Sequence, residues 1–419
     1  MLWIKRKNIR CEKIYRHMPN RQSFPNNEKS LNRIVSLDVF RGLTIAGMIL
    51  VTDPGTYAHV YPQLLHAGWM GATAADMIFP SFLFIVGVSV PLSFTSRIQH
   101  GANRTSLAGH IFRRAAILFI LGLLVNGFPG YQWHSLRLPG ILQRIAICYA
   151  SCGLIYLYTD FSAFNNIQSE ISKRRLILPA IAFCLLACYW AMLVLVPVPG
   201  IGAGHLDTYG NLPAYIDRAV MGINHMWVWG LTPGVGITYD PEGILSTLPA
   251  IASTLIGVIA GEWMQTKNTE NRKVVLLIIT GVILVVMALL LSHFLPINKR
   301  IWTSTYALLS SGIALILFAV LYFIVDLRRV RWWIWPALVL GTNAILAFII
   351  SSLITSLGDL IHVSQTGGQP LTLHEFGYKI SAASGLSPTN ASLLYAIVIV
   401  LINIAIITPL YYKKIYLKV

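Results

Sequence analysis

Charge is scarce in this chain. Only 11% of its 419 residues are Asp, Glu, Lys or Arg, while 55% are hydrophobic. A chain so apolar cannot hide its surface in one soluble core, which excludes an ordinary water-soluble domain. Acidic residues are scarcer still, 16 against 32 Lys and Arg. There are five cysteines: Cys11, the pair Cys148 and Cys152, and the pair Cys184 and Cys188. None falls in an expected outside loop, so no disulfide framework is implied, and small buried thiols between helices are expected. No zinc-type Cys/His spacing occurs, and no metal site is expected. No phosphate-cradling glycine motif follows a strand, and no internal repeat is evident. Residues 1–33 lack the apolar core and cleavage site of a signal peptide and are expected to be a basic cytoplasmic tail.

What remains is long apolar runs. A spanning helix needs about 20 mostly apolar residues. Ten stretches qualify: 34–53, 74–96, 113–128, 139–158, 176–195, 242–262, 274–294, 303–326, 334–357 and 388–410. The expected fold is therefore an all-α polytopic helix bundle, with a membrane domain over 34–419. With ten spans both termini share a side. Of the 32 basic residues, 25 fall on that side, 5 on the other (Arg137, Arg218, Lys299, Arg300 and Lys379), and Arg41 and Arg144 lie inside helices. That asymmetry reads as positive-inside topology with both termini cytoplasmic, so the net charge of +16 points to the bilayer and not to nucleic acid.

The chain is organised around His66 to Ser93. The stretch opens polar, with His66, Trp69 and Gly71, and then enters an apolar run with one carboxylate, Asp76, at its doorway. Imidazole is the side chain suited to exchanging a proton near neutral pH. Thr73-Ala-Ala-Asp76 also fits a helix start, in which Thr73 caps and Asp76 meets the positive end of the dipole. That explains Asp76 without chemistry, but it leaves His66 unexplained. Elsewhere Asp38 and Arg41 stand three apart on one helix face and can pair. Gln143 and Arg144 enter the membrane about two turns deep, where a lone Arg needs a cavity, a carboxylate or backbone carbonyls; Asp76 and Glu242 are its candidate partners. Asn343 lies in the ninth run, where an amide usually bonds a neighbouring helix. The loop 196–241 is long for a connector and sets His225, Trp227, Trp229 and Tyr239 beside Asp207, Asp217 and Asp240, with Glu242 just beyond. Aromatic faces beside carboxylates suit a sugar, although Trp and Tyr also populate membrane interfaces.

The pattern His66-Ala-x-Trp-x-Gly-x-Thr-x-x-Asp76-x-x-Phe-Pro-x-Phe-x-Phe-x-x-Gly87 resembles the heparan-α-glucosaminide N-acetyltransferase family and its bacterial-type homologues. Ser36 to Leu43, Leu138 to Ala146, Tyr239 to Pro249 and Asn298 to Thr303 carry the same resemblance, which runs from about Arg33 to the C-terminus; the large luminal domain of the animal enzyme is not seen. One departure is Thr52-Asp53 before Pro54-Gly55, where homologues usually show two asparagines.

The resemblance implies a transmembrane acetyltransferase that moves acetyl from cytoplasmic acetyl-CoA to an amino sugar at the outer face of a bacterial cytoplasmic membrane. His66 falls on the family's catalytic histidine and would act as base or as a nucleophile forming acetyl-imidazole. Asp76 or Glu242 would orient the ring, and Arg144 or a backbone N–H would steady the oxyanion. Asp53, Trp69, His225, Trp227, Asp240, Glu242 and Lys299 are the expected substrate contacts. Asp38, Arg41, Arg114 and Asn343 are expected on the coenzyme side, and a homodimer is the assembly to test. The rival expectation is an amino-sugar transporter, since intramembrane charge and long outer loops would serve that as well.

Overall fold

The computed structural model describes residues 34–159, 167–364 and 369–417. The expected N-terminal tail, with Cys11, lies outside them. Among the described residues nine helices are long and apolar enough to span a bilayer, and one bent helix pair reaches that length only when its two helices are taken together. The protein is an all-α polytopic membrane bundle. Its helices are α1 (Val35–Thr52), α2 (Ile78–Gln99), α3 (Arg104–Gly127), α4 (Ile141–Tyr158), α5 (Ile167–Leu195), α6 (Leu212–Met221), α7 (Thr247–Met264), α8 (Glu270–Leu291), α9 (Ser304–Leu321), α10 (Trp335–Thr342), α11 (Ala344–Leu360), α12 (Leu373–Ala382) and α13 (Pro388–Tyr412).

Two spans differ from expectation. The third does not begin near 113 but at Arg104, because Asn103 accepts the Ser106 N–H at 2.8 Å and nothing breaks the helix before Gly127. Arg104, Arg113 and Arg114 therefore ride on α3, and Arg97 on the last turn of α2, so most of 97–114, between the expected second span and the start of the third, is helix. The ninth run is two helices, α10 and α11, meeting at 89°. Asn343 sits at the break with its side chain turned to the C-terminal segment: Nδ2 donates to Ile415 O and Oδ1 accepts from Leu417 N, each at 3.2 Å. The thiols also divide. Cys148 and Cys152 are buried as expected, whereas Cys184 and Cys188 on α5 are exposed, turned away from the helix interfaces.

Burial orders the layers. In α7, 72% of the apolar stretch is buried, against 17% in α3 and 22% in α8 and α13, so α7 runs through the centre and the other three face lipid. Close contact needs small residues. A Cβ on Gly42 of α1 would sit 1.8 Å from Ala337 O, and one on Gly341 would sit 1.9 Å from Asp38 O, so α1 and α10 touch backbone to backbone. At the same end, a π-helical turn (Tyr322–Leu327) extends α9, and its Asp326 carboxylate accepts the Val35 and Ser36 N–H groups at 3.1 and 2.9 Å. These are orphan donors at the start of α1, capped from 290 residues away.

At the opposite end the connections gather into one layer. Gly71 N–H donates to Ile297 O, Leu138 N–H to His225 O and Gly55 N–H to Ser392 O. The long loop 196–241 contains α6 and a two-residue hairpin, β1 (Leu231–Thr232) with β2 (Gly236–Ile237). The loop after α11 contains β3 (His362–Val363), β4 (Leu371–Thr372) and α12, which starts with a Thr372–Glu375 capping box.

Candidate active site

The site is assembled in this loop layer. After α1 the chain makes a 3-10 turn at Pro62–Leu64, reaches His66, and turns at Gly71, whose φ of +93° is costly for any residue with a Cβ. A second 3-10 turn, Ala75–Met77, leads into α2. The Thr73 side chain is not the helix cap; its hydroxyl donates to Leu65 O at 2.6 Å. Asp76, fully buried, does the gathering. Its Oδ2 accepts from Ala67 N at 3.0 Å, Thr73 N at 2.9 Å and the Thr73 hydroxyl at 3.1 Å. Its Oδ1 lies 2.8 Å from His66 Nδ1 and 3.2 Å from Lys299 Nζ. The carboxylate thus closes the loop and orients the imidazole together, which a helix-start role alone does not explain.

Lys299 arrives on the turn before α9. That turn is set by buried Asn298, whose Oδ1 accepts Ile301 N–H at 3.2 Å and whose own N–H donates to the Thr303 hydroxyl at 3.0 Å. Lys299 Nζ lies 2.9 Å from His66 Nδ1 and 3.4 Å from Nε2. Nδ1 lies between Asp76 Oδ1 and Lys299 Nζ and cannot donate to the one while accepting from the other; a proton on Nδ1 pointed at Asp76 leaves Nε2 with its lone pair. Burial pulls the His66 pKa below its ordinary 6.5, Asp76 opposes this, and Lys299 adds to it. Burial likewise lowers the ammonium pKa of Lys299 against the pull of Asp76 and Glu242.

Beside this cluster stands a framework of arginine and aromatic rings. Arg137, not among the expected site residues, bonds Asp240 through Nε at 2.9 Å and Nη2 at 2.7 Å, and Glu242 through Nη2 at 2.6 Å. Burial works against its charge, but the two carboxylates outweigh it and hold the guanidinium above its usual range. Burial opposes ionisation of Glu242 too, and Arg137, Arg144 and Lys299 overcome it. Asp240 also accepts Trp227 N–H at 2.8 Å and Glu242 N–H at 2.9 Å, so its oxygens are taken up by the protein. The expected run 242–262 becomes helix only at Thr247, where α7 begins, seven residues after Asp240. Tyr239 packs edge-on to Trp69 at 4.8 Å and faces Trp227 at 6.5 Å, while Arg300 lies over the Trp227 ring at 5.2 Å. Trp69 is fixed by Nε1–H donating to Leu206 O at 2.7 Å, and His225 by Nδ1 on Leu136 O at 2.8 Å.

Arg144 meets neither Asp76 nor Glu242 in a hydrogen bond. It is 1% exposed, and Nη2 donates to Gly243 O at 2.9 Å and to the Ser246 hydroxyl. Its plane lies over Trp302 at 5.2 Å, while Nε and Nη1 find no acceptor among the described residues. Of the two carboxylates expected for it, Glu242 bonds Arg137, which sits on the loop level with it, and Asp76 bonds His66 and Lys299. Asp217, unassigned above, anchors the same turn by accepting Ile244 N–H at 2.8 Å; burial and then the nearby Asp240 charge push its carboxyl up to about 7. Tyr306 joins the cluster from α9 by donating its hydroxyl to Asp76 O.

The remaining expected residues lie apart. Asp53 is enclosed by the hydroxyls of Ser351 (3.0 Å), Thr355 and Thr52, and burial raises its pKa despite these bonds. Asp38 and Arg41 pair at 3.0 Å, with Arg41 Nη2 also on the Ser89 hydroxyl at 3.1 Å. Arg114 covers the Tyr149 ring at 4.7 Å. Asp38, Arg41 and Asn343 stand towards the end of the bundle opposite His66.

Residues 33–298 match the family described as heparan-alpha-glucosaminide N-acetyltransferase, catalytic. The chain is 30% identical to the heparan-alpha-glucosaminide N-acetyltransferase of Mus musculus over 354 residues, 76% of this chain and 53% of that protein. Against the Homo sapiens protein of the same name the identity is 30% over 351 residues, 76% of this chain and 52% of the relative. The chain thus spans about half the length of the curated relatives it matches.

Proposed function

The chain belongs to the heparan-alpha-glucosaminide N-acetyltransferase catalytic family, and from that premise we propose that it transfers acetyl from acetyl-CoA to the amine of an amino sugar of the glucosamine type. The observation that carries the reading is the three-way contact of His66, Asp76 and Lys299. His66 Nε2, bare of hydrogen, takes a proton from the sugar amine as the amine nitrogen attacks the thioester carbonyl. The C–N bond forms, the C–S bond breaks, and the CoA thiolate leaves to collect the proton. Asp76 holds the ring in the required tautomer and steadies the imidazolium that forms. Lys299 Nζ, 3.4 Å from Nε2, is the donor placed to meet negative charge developing on the carbonyl oxygen. Arg144, tied to Gly243 and Ser246, supports the turn that carries Glu242. Trp69 and Trp227, both partly exposed, line the approach to this cluster for a pyranose, with buried Tyr239 packed edge-on against them.

The opposite end of the bundle, rich in arginine, is the cytoplasmic one in this reading, with Arg41 and Arg114 drawing the coenzyme's phosphates. The test is acetylation of glucosamine by purified protein with labelled acetyl-CoA, wild type against His66→Ala. A well-folded His66→Ala protein with near-normal transfer would end the proposal. Labelled acetyl trapped on His66 in the absence of sugar would replace direct transfer with a covalent route. The broken span α10–α11 favours one second reading, transport of the amino sugar. Uptake of labelled glucosamine into proteoliposomes without acetylation would establish it.

A further inference from the structure

Two charge-free stretches meet beside the candidate site. No Asp, Glu, Lys or Arg occurs between Arg114 and Arg137, or between Arg218 and Asp240. The first stretch is the second half of lipid-facing α3 and the loop after it. Ile117, Ile120 and Leu124 are exposed on one face of the helix, and the exposure does not stop where the helix does, at Gly127. It runs on into Tyr131 and Trp133, the latter 75% exposed. The second stretch is pinned against that loop. The turn Trp133–Ser135 lies against the turn Ile223–His225, Leu138 N–H donates to His225 O at 3.0 Å, and the Arg137 guanidinium lies over the Trp227 ring at 5.9 Å. On this pinned segment Ile223, Val228 and Trp229 are exposed, Trp229 by 70%.

Apolar side chains of this size gain from leaving water, and a contiguous patch of them marks a contact surface. The patch continues a surface that already faces lipid, with no charged residue to mark a passage into water. Tryptophan and tyrosine gather at the boundary between headgroups and acyl chains, where the ring is buried and its N–H or O–H stays wet. Elsewhere the same long loop does enter water: the side chains of His205 and Asp207 are 44% and 57% exposed. We propose that Tyr131, Trp133, Ile223, Val228 and Trp229 are seated in the bilayer leaflet at this end of the bundle, at the depth of about 5–10 Å that interfacial apolar faces reach. The segment that carries Trp227 is then held by Arg137 on one side and by lipid on the other. The inference uses only this surface and does not depend on the acetyl-transfer reading.

The test places the environment-sensitive fluorophore NBD on a single cysteine, Val228→Cys or His205→Cys, in a chain whose five native cysteines are changed to alanine. The protein is reconstituted in phosphatidylcholine nanodiscs. Emission from Val228→Cys should be bluer than from His205→Cys, fall about twofold or more when the lipid carries a doxyl group near its headgroup, and resist aqueous iodide. His205→Cys should show the reverse. Iodide quenching at Val228→Cys equal to that at His205→Cys would leave the patch open to water, and protection from both quenchers would put protein on it, a second copy included; either outcome refutes the inference. If the alanine background fails to fold, the chain with its own cysteines gives the answer. Brominated lipid should quench a share of its tryptophan emission, and Trp133→Phe and Trp229→Phe should each remove part of that share. A quenched share unchanged in both variants would overturn the proposal.

Discussion

Asp53 and Asp76 bound the same stretch of chain, one just past α1 and one at the start of α2, and both are buried. Their donors differ in kind. Asp76 receives two backbone N–H groups, an imidazole and an ammonium besides one hydroxyl, that of Thr73. Asp53 receives the hydroxyls of Thr52, Ser351 and Thr355, and burial raises its pKa. Hydroxyls satisfy an oxygen without supplying charge, so they hold a helix in place. An N–H cradle with a cation keeps a carboxylate ionised and lets it organise a base. On this contrast we propose a site role for Asp76 and a structural one for Asp53, although both looked alike as acids at helix ends.

Replacing each acid by its amide should break the likeness. Asp76→Asn is expected to lower acetyl transfer about 100-fold or more, since the amide cannot fix the His66 tautomer or balance its charge. Turnover of purified protein checks it; loss of less than tenfold would place the base elsewhere. The residual activity sharpens the point through pH. His66 must be neutral to accept a proton, so activity rises with pH through its lowered pKa, below the ordinary 6.5. Asp76 raises that pKa and Lys299 lowers it. The acid limb of kcat/KM should therefore move to lower pH in Asp76→Asn and to higher pH in Lys299→Met. Shifts in the same direction would refute the tautomer and charge assignment.

Asp217 is a third case, buried with one backbone donor and pushed up to about 7 from 3.8. The unfolded chain loses this proton near 3.8 while the folded protein keeps it to about 7. Stability therefore falls as pH rises through that window and stays reduced above it, by up to about 4 kcal/mol for roughly three pKa units. Asp217→Asn keeps an acceptor for Ile244 N–H and should raise the unfolding temperature at pH 8 but not at pH 4; equal shifts at both would show that charge is not the cause. The smallest effect belongs to Asp53→Asn. Its amide oxygen still accepts from Ser351 or Thr355, so transfer should stay within about threefold of wild type, and a 100-fold loss would return Asp53 to the substrate.

Much of this was legible because it is local. The ten-residue step from His66 to Asp76 and the three-residue step from Asp38 to Arg41 are set by a short loop and by one helix turn, and both pairs meet. The helices were legible from apolar length. What stayed hidden needed the fold. Lys299 reaches His66 across 233 residues, and Arg137 finds Asp240 across 103. Only the crowding of five loops at one end makes those pairs. Arg137 carried a signal, being one of five basic residues on the poorly basic side, where an arginine needs a reason. The break at Asn343 carried almost none, since the amide's partners, Ile415 and Leu417, lie more than seventy residues on and the run around it is apolar.

The cap that Asp326 places on α1 has a consequence for how the protein is made. Ribosomes add about 5–20 residues per second, so the Val35 N–H waits roughly 15–60 s in the membrane before its partner, 291 residues later, is synthesised. Gly42 waits still longer for Ala337. α1 is thus finished by helices made long after it, and it carries Asp38 and Arg41 throughout the delay. Their ion pair closes within one turn and needs no later helix, so it lowers the cost of holding both charges in lipid during the delay. Removing Arg41 would therefore be felt first during biosynthesis, as loss of inserted chain to quality control, before any finished protein could be assayed.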